Sequence, residues 1–240
     1  ASRAAVEPET KDLDVYFFVD ISGSMDQTIP RAQAIAERLV PAFSPERIHI
    51  FAFNTAVKAL VLRHHSAAGV ANAFVGIAAS GGTDYGYAVE VAARHAPPRE
   101  GTRRLFLFAG DEENGAVRSG ARGAFVESVQ RSGLQPCAFG LMRVTGPSSH
   151  GHGEAVRATA NLLGIPCFPL REEDLLDVYG APRVLATLVA STPVSAGVGA
   201  SAVLKEALID RILATSLLEL PDWALVTGTG ARSSRRPKRR

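Results

Sequence analysis

The chain has 240 residues, 46% of them hydrophobic, so one globular domain with appendages is the expected organisation. Its net charge is +2, but Arg232, Arg235, Arg236, Lys238, Arg239 and Arg240 crowd the last ten positions; without those six the rest carries −4 and is mildly acidic. Two cysteines, Cys137 and Cys167, exclude a disulfide scaffold, and no charged segment followed by an apolar one opens the chain, so the expectation is a cytoplasmic protein with free thiols.

Val15, Tyr16, Phe17, Phe18 and Val19 form a continuous apolar run that stops at a carboxylate in a Ser/Gly turn. It reads as a central strand buried on both faces. After Pro30 the residues Ala34, Ile35, Leu39 and Val40 recur at helical spacing, until Pro41 and Pro45 break the pattern. Residues 48–53 read as a strand, 57–62 as an edge strand, and 85–96 as a helix closed by Pro97 and Pro98. Residues 105–109 repeat the buried-strand pattern. A helix over 119–132, a strand over 136–141, a helix over 154–163, a strand over 167–170 and a helix over 172–189 complete the series. This alternation predicts an α/β fold: a doubly wound, mostly parallel sheet with helices on both faces and one antiparallel edge strand.

The uncharged run from 184 to 204 is long enough to span a bilayer, but Thr187, Ser191, Thr192, Pro193, Ser195, Gly197, Gly199 and Ser201 make it a helix end followed by a Gly/Ser linker. No membrane span is expected. Leu204, Leu208, Ile212, Leu213, Leu217 and Leu218 give the next segment one apolar face, which wants burial on the domain or on a partner. The expected organisation is an extension over 1–13, the domain over 14–190, a linker with an accessory amphipathic helix over 191–227, and a disordered basic tail over 228–240.

Ligands of such sheets bind beyond the carboxyl ends of the strands, so polar residues just after buried strands carry the most information. Three segments qualify: Asp20-Ile21-Ser22-Gly23-Ser24, Gly81-Gly82-Thr83-Asp84, and Gly110-Asp111-Glu112. Their side chains are carboxylates and hydroxyls without Cys or His, a set that suits a hard divalent cation and disfavours zinc. The i, i+2, i+4 spacing of Asp20, Ser22 and Ser24 lets three oxygens converge in one turn. Capping of the following helix by the same residues is the structural alternative, but it does not call for Thr83 and Asp111.

Asp20-Ile-Ser22-Gly-Ser24 at the end of an apolar strand resembles the D-x-S-x-S motif of the von Willebrand factor A domain family, and Thr83 and Asp111 follow in the order of its metal-ion-dependent adhesion site. The resemblance covers roughly residues 14–190. It implies that Ser22, Ser24 and Thr83 are direct hydroxyl ligands of magnesium, or alternatively manganese or calcium, while Asp20 and Asp111 act largely through bound water. One coordination position is then left for an acidic residue of a partner protein. The chain departs from the family where the third Asp usually follows a strand Thr directly: here Ala109 and Gly110 precede Asp111. Asp26, Asp84 and Glu112 are candidates to support the site from outside the direct ligands.

An enzyme is not expected. Asp20, Asp111 and magnesium would suit phosphoryl transfer, but no Lys stands near the three segments and the serines have no evident His base. His64-His65 and His150-Gly151-His152 read as solvated loop histidines. The tail residues Arg235, Arg236, Lys238, Arg239 and Arg240 offer electrostatic contact with RNA or DNA, or simply a solubilising end, since no aromatics are interleaved. The Gly-Gly-Thr-Asp loop is also similar to that of the C-terminal domain of Ro-type RNA-binding proteins, without their helical-repeat ring. An intracellular bacterial member of the family, beside an ATPase or in a multiprotein assembly, is the other context the resemblance implies. Its strand order makes the strands at Cys137 and Cys167 parallel neighbours, with two unbonded thiols expected at similar heights about 5 Å apart.

Overall fold

The computed structural model describes residues 12–26, 28–114, 121–144, 153–171 and 173. Contacts divide the chain between Val194 and Ser195, and every described residue belongs to the first unit. The expected helix over 172–189, the uncharged run, the accessory helix, the tail and His150-Gly151-His152 lie outside the described residues, apart from Glu173.

Strands β1 (Leu13–Asp20), β2 (Ile48–Phe53), β3 (Val57–Ala59), β4 (Arg103–Gly110), β5 (Ala138–Arg143) and β6 (Cys167–Leu170) form one sheet in the order β3-β2-β1-β4-β5-β6. All pairs are parallel except β2 with β3. The expected α/β sheet with an antiparallel edge is therefore the observed fold. The four longer connections carry α1 (Ile29–Leu39), α2 (Ala67–Phe74) and α3 (Tyr85–His95) together, α4 (Ala121–Ser132) and α5 (Ala155–Leu163). Winding leaves β1 toward β2 on one side and toward β4 on the other, which opens a crevice between the carboxyl ends of β1 and β4.

Every residue of β1 is buried, as its unbroken apolar run requires. Strand alternation then sorts the side chains by face. Val15, Phe17 and Val19 meet α1 and α2 on one face, whereas Tyr16 and Phe18 meet α3, α4 and α5 on the other. The second face is built of rings: Phe18 stacks on Phe108 at 5.0 Å and on Phe51 at 5.6 Å, and Phe106 stacks on Phe139 at 5.7 Å.

Four points of the sequence reading need adjustment. Helix α2 was not foreseen, because only Val70 and Phe74 of its short, Ala-rich span are large and buried; Ser66, whose hydroxyl accepts the Gly69 N–H at 3.2 Å, starts it. The edge strand stops at Ala59, although the Leu60 N–H still reaches Ile50 O at 2.8 Å. Neither cysteine is in a disulfide and both are half-buried, Cys137 just before β5 and Cys167 at the start of β6, but Cys167 pairs in register with Phe139, so Cys137 stands two residues lower. That is an offset of about 7 Å along the strand, not a shared height. The Cys137 thiol instead donates to Arg104 O at 3.1 Å. His65, expected to be solvated, has Nε2 2.6 Å from Phe43 O and ties down its loop.

Phe18 is fully buried at the centre of the ring cluster. Phe18→Ala should therefore lower unfolding free energy by about 3–5 kcal/mol in a denaturant titration. A loss below about 1 kcal/mol would show that this face does not hold the sheet.

Candidate metal centre

Asp20 ends β1 with its side chain fully buried. Its Oδ1 accepts the Ser22 N–H at 2.8 Å, a local turn that reverses the chain at the sheet edge. A 3-10 turn over Gly23–Met25 follows, and Ser22 caps it with no side-chain hydrogen bond. Thr28, before α1, likewise makes no side-chain cap bond. Capping therefore does not account for the serines.

The Ser hydroxyls turn toward one another and toward β4. Ser22 Oγ lies 3.3 Å from Ser24 Oγ, and Ser24 Oγ donates to Asp111 Oδ2 at 2.6 Å. Asp111, the residue after β4, is fully buried and also accepts the Glu113 N–H at 3.0 Å. Four of the five expected ligands are thus joined by hydrogen bonds.

Thr83 comes to this cluster on a loop held by backbone bonds. The Gly23 N–H donates to Gly81 O at 3.0 Å and the Ser80 N–H to Ile21 O at 2.9 Å. Asn54, just past β2, clamps the loop: its Nδ2 donates to Ser80 O at 2.8 Å, and its carbonyl accepts the Asp84 N–H at 3.0 Å. Sequence reasoning passed over Asn54; its place directly after a buried strand was the available signal. Thr83 is buried, and its hydroxyl makes no hydrogen bond among the described residues.

The residues expected in a supporting role divide differently. Asp84 caps α3 through the Tyr87 N–H at 2.9 Å, and Asp26 is exposed. The Glu112 carboxylate is buried but engaged by Arg157 of α5, with Nε donating to Oε2 at 2.9 Å. Glu112 also has a left-handed backbone, φ 62°, and Gly153 packs so close that a Cβ there would stand 2.3 Å from Glu112 C. The loop carrying Asp111 is therefore seated on the start of α5. Gly110 explains the departure from the family pattern: a Cβ there would stand 2.9 Å from both Asp20 Cβ and the Tyr85 hydroxyl.

Electrostatically the site is uncompensated. Asp20 and Asp111 are both fully buried, and among the described residues no Lys, Arg or His pairs with either. Asp20 Oδ2 has no hydrogen-bond partner among the described residues. Burial, opposed by the Ser22 hydrogen bonds and reinforced by Asp111 and Glu113, pushes the Asp20 carboxyl up to about 7. Burial also raises Glu112, against the pull of Arg157. Two buried carboxylates with three hydroxyls nearby and an orphaned oxygen fit a hard cation, which would relieve the repulsion and take up the free lone pairs.

Residues 15–113 match the profile of the von Willebrand factor type A domain. The match runs from β1 to the loop after β4 and includes all five candidate ligands. Domains of this family often mediate metal-dependent protein–protein interaction. Among solved structures, the chain is similar to an aerotolerance-related membrane protein from Bacteroides fragilis (16% identity, TM-score 0.52, covering 74% of this chain and 98% of that one). It is similar to BatB from Bacteroides thetaiotaomicron (16% identity, TM-score 0.53, covering 75% and 98%). It is also similar to a von Willebrand factor type A protein from Catenulispora acidiphila (16% identity, TM-score 0.56, covering 75% and 43%). At these identities the likeness is one of fold. Comparison with curated proteins gives no match. Among the described residues no helix is long and apolar enough to cross a membrane.

The Asp20 shift has a direct consequence for stability. The folded, cation-free protein keeps this proton up to about pH 7, whereas the unfolded chain releases it near 3.8, so stability falls as pH rises between those values. Asp20→Asn removes the charge and keeps the acceptor for Ser22. In chelator at pH 8 it should melt above the parent protein, with a flatter profile between pH 4 and pH 7. Glu112 leaves a residual slope of the same sign. Equal melting of the two proteins at pH 8 would refute the uncompensated burial of Asp20.

Proposed function

We propose that the crevice between β1 and β4 holds a divalent cation of the magnesium type, and that the domain uses it without catalysis to capture an acidic side chain of a partner protein. The observation that carries this reading is the pair of fully buried carboxylates, Asp20 and Asp111, linked through Ser22 and Ser24 and without a basic partner among the described residues. Ser22, Ser24 and Thr83 offer neutral oxygens, and a cation held mostly by these keeps charge for an incoming Asp or Glu. Asp20 and Asp111 then balance the ion from behind, largely through its water. Manganese or calcium would be the substitutes from the same class of hard ions.

The chemistry of a hydrolase is not supported by the side chains around the crevice. Among the described residues no hydrogen bond gives Ser22 or Ser24 a basic partner, and Ser24 is itself spent as a donor to Asp111. A second protein in a multiprotein assembly is the partner class that this site fits.

Ser22→Ala and Thr83→Ala should each weaken magnesium binding by at least about 10-fold in calorimetry, with the circular dichroism melt of the cation-free protein little changed. Capture of a partner from native extract should need magnesium, fail in chelator, and fail with Asp20→Ala. Capture indifferent to both, together with magnesium-dependent phosphatase activity, would reverse the reading.

A further inference from the structure

Tyr85 opens α3 directly after its Asp84 cap, and its ring is enclosed by Phe53 at 5.0 Å, Phe125 at 5.5 Å and Phe108 at 5.8 Å. For this carbon-lined place a phenylalanine would suffice. The residue nevertheless carries a hydroxyl, which is buried and has no hydrogen-bond partner among the described residues. Such a group is costly unless something accepts its proton.

The groups beside the hydroxyl belong to the cation site. A Cβ on Gly110 would stand 2.9 Å from the Tyr85 oxygen and 3.2 Å from Asp20 Oδ2, so the two oxygens flank one point. Asp20 Oδ2 is itself buried and without a partner. Two orphaned oxygens, one a donor and one an acceptor, therefore adjoin where Gly110 lacks a side chain. A tyrosine phenol is protonated near neutral pH, so Tyr85 stands there as a donor.

We propose that Tyr85 is a positioning residue of the cation site, its hydroxyl donating through a cation-bound water to the Asp20 side of the coordination shell. This rests on the cation reading given above. The hydroxyl would hold Asp20 Oδ2 and the water in mutual register from beneath the crevice.

Tyr85→Phe removes one oxygen and keeps the ring packing. In chelator the variant should melt at or above the parent temperature, because the hydroxyl it loses has no partner among the described residues. Its magnesium dissociation constant, by calorimetry, should rise about 3- to 10-fold, the range of one net hydrogen bond. Tyr16→Phe is the control: its hydroxyl donates to Ala96 O at 2.7 Å, on the far side of the domain core from the motif, so it should melt lower and bind magnesium as the parent does. An unchanged dissociation constant for Tyr85→Phe, or a lowered melt in chelator, overturns the assignment while the cation reading stands. Parent protein that gives no magnesium isotherm overturns both.

Discussion

Two carboxylates at the ends of adjacent parallel strands, both out of water and neither with a basic partner among the described residues, set the terms for the rest of this domain. Asp20 terminates β1 and Asp111 follows β4. The two strands pair over their whole length, so the sheet itself delivers both charges to one crevice. Left alone, such a pair holds a proton, and Asp20 is the group displaced upward. Among the described residues the surrounding loops bring hydroxyls and backbone to the pair rather than Lys or Arg. That choice is unfavourable for an empty structural site and well suited to one completed from outside.

The two faces of the sheet serve this crevice in different ways. The aliphatic face, with Phe17 between α1 and α2, anchors the turn through Met25 and Ile29 on its far side. The aromatic face has the stiffer packing, with edge and stacked rings from Phe18 through Phe108 to Tyr85. Rings of this kind have few rotamers and fix what is attached to them. Placing a phenol at the end of the series therefore sets a polar atom under the crevice with little freedom, which a Ser or Thr at the start of α3 would not do.

Much of this was legible in the sequence for simple physical reasons. Continuous apolar runs at β1 and β4 are the signature of strands covered on both faces, and the D-x-S-x-S spacing states its geometry directly. What was not legible depends on contacts between distant segments. Asn54 looks like an ordinary turn residue until its side-chain amide is seen holding Ser80 and its backbone carbonyl holding Asp84. Glu112 looks like one of a run of loop carboxylates, yet it is buried on Arg157, while Asp84, from the same motif as Thr83, is spent on a helix cap. Register is likewise a property of the pair: matching Pro-Cys sequences suggested equal heights, but the pairing of β5 and β6 offsets the thiols by two residues.

The Glu112 contact bears most directly on how the site keeps its shape. Asp111 cannot be held by the sheet alone, because it lies beyond the last residue of β4. Its loop turns on a left-handed non-glycine residue, a conformation that persists only when its surroundings compel it. The compulsion comes from α5: Arg157 binds the carboxylate, the Ala155 N–H donates to Glu112 O at 3.2 Å, and Gly153 has no side chain to keep the backbones apart. Arg157 is half exposed and Glu112 fully buried, so the pair is worth less than its geometry suggests, and its value is one of position. The third ligand segment is thus fixed by a helix some forty residues further along the chain. Asn54 fixes the second segment from β2, and only the first segment, Asp20 to Ser24, is fixed by its own turn. A site assembled in this way draws its ligands from three segments and most of its rigidity from the elements around them.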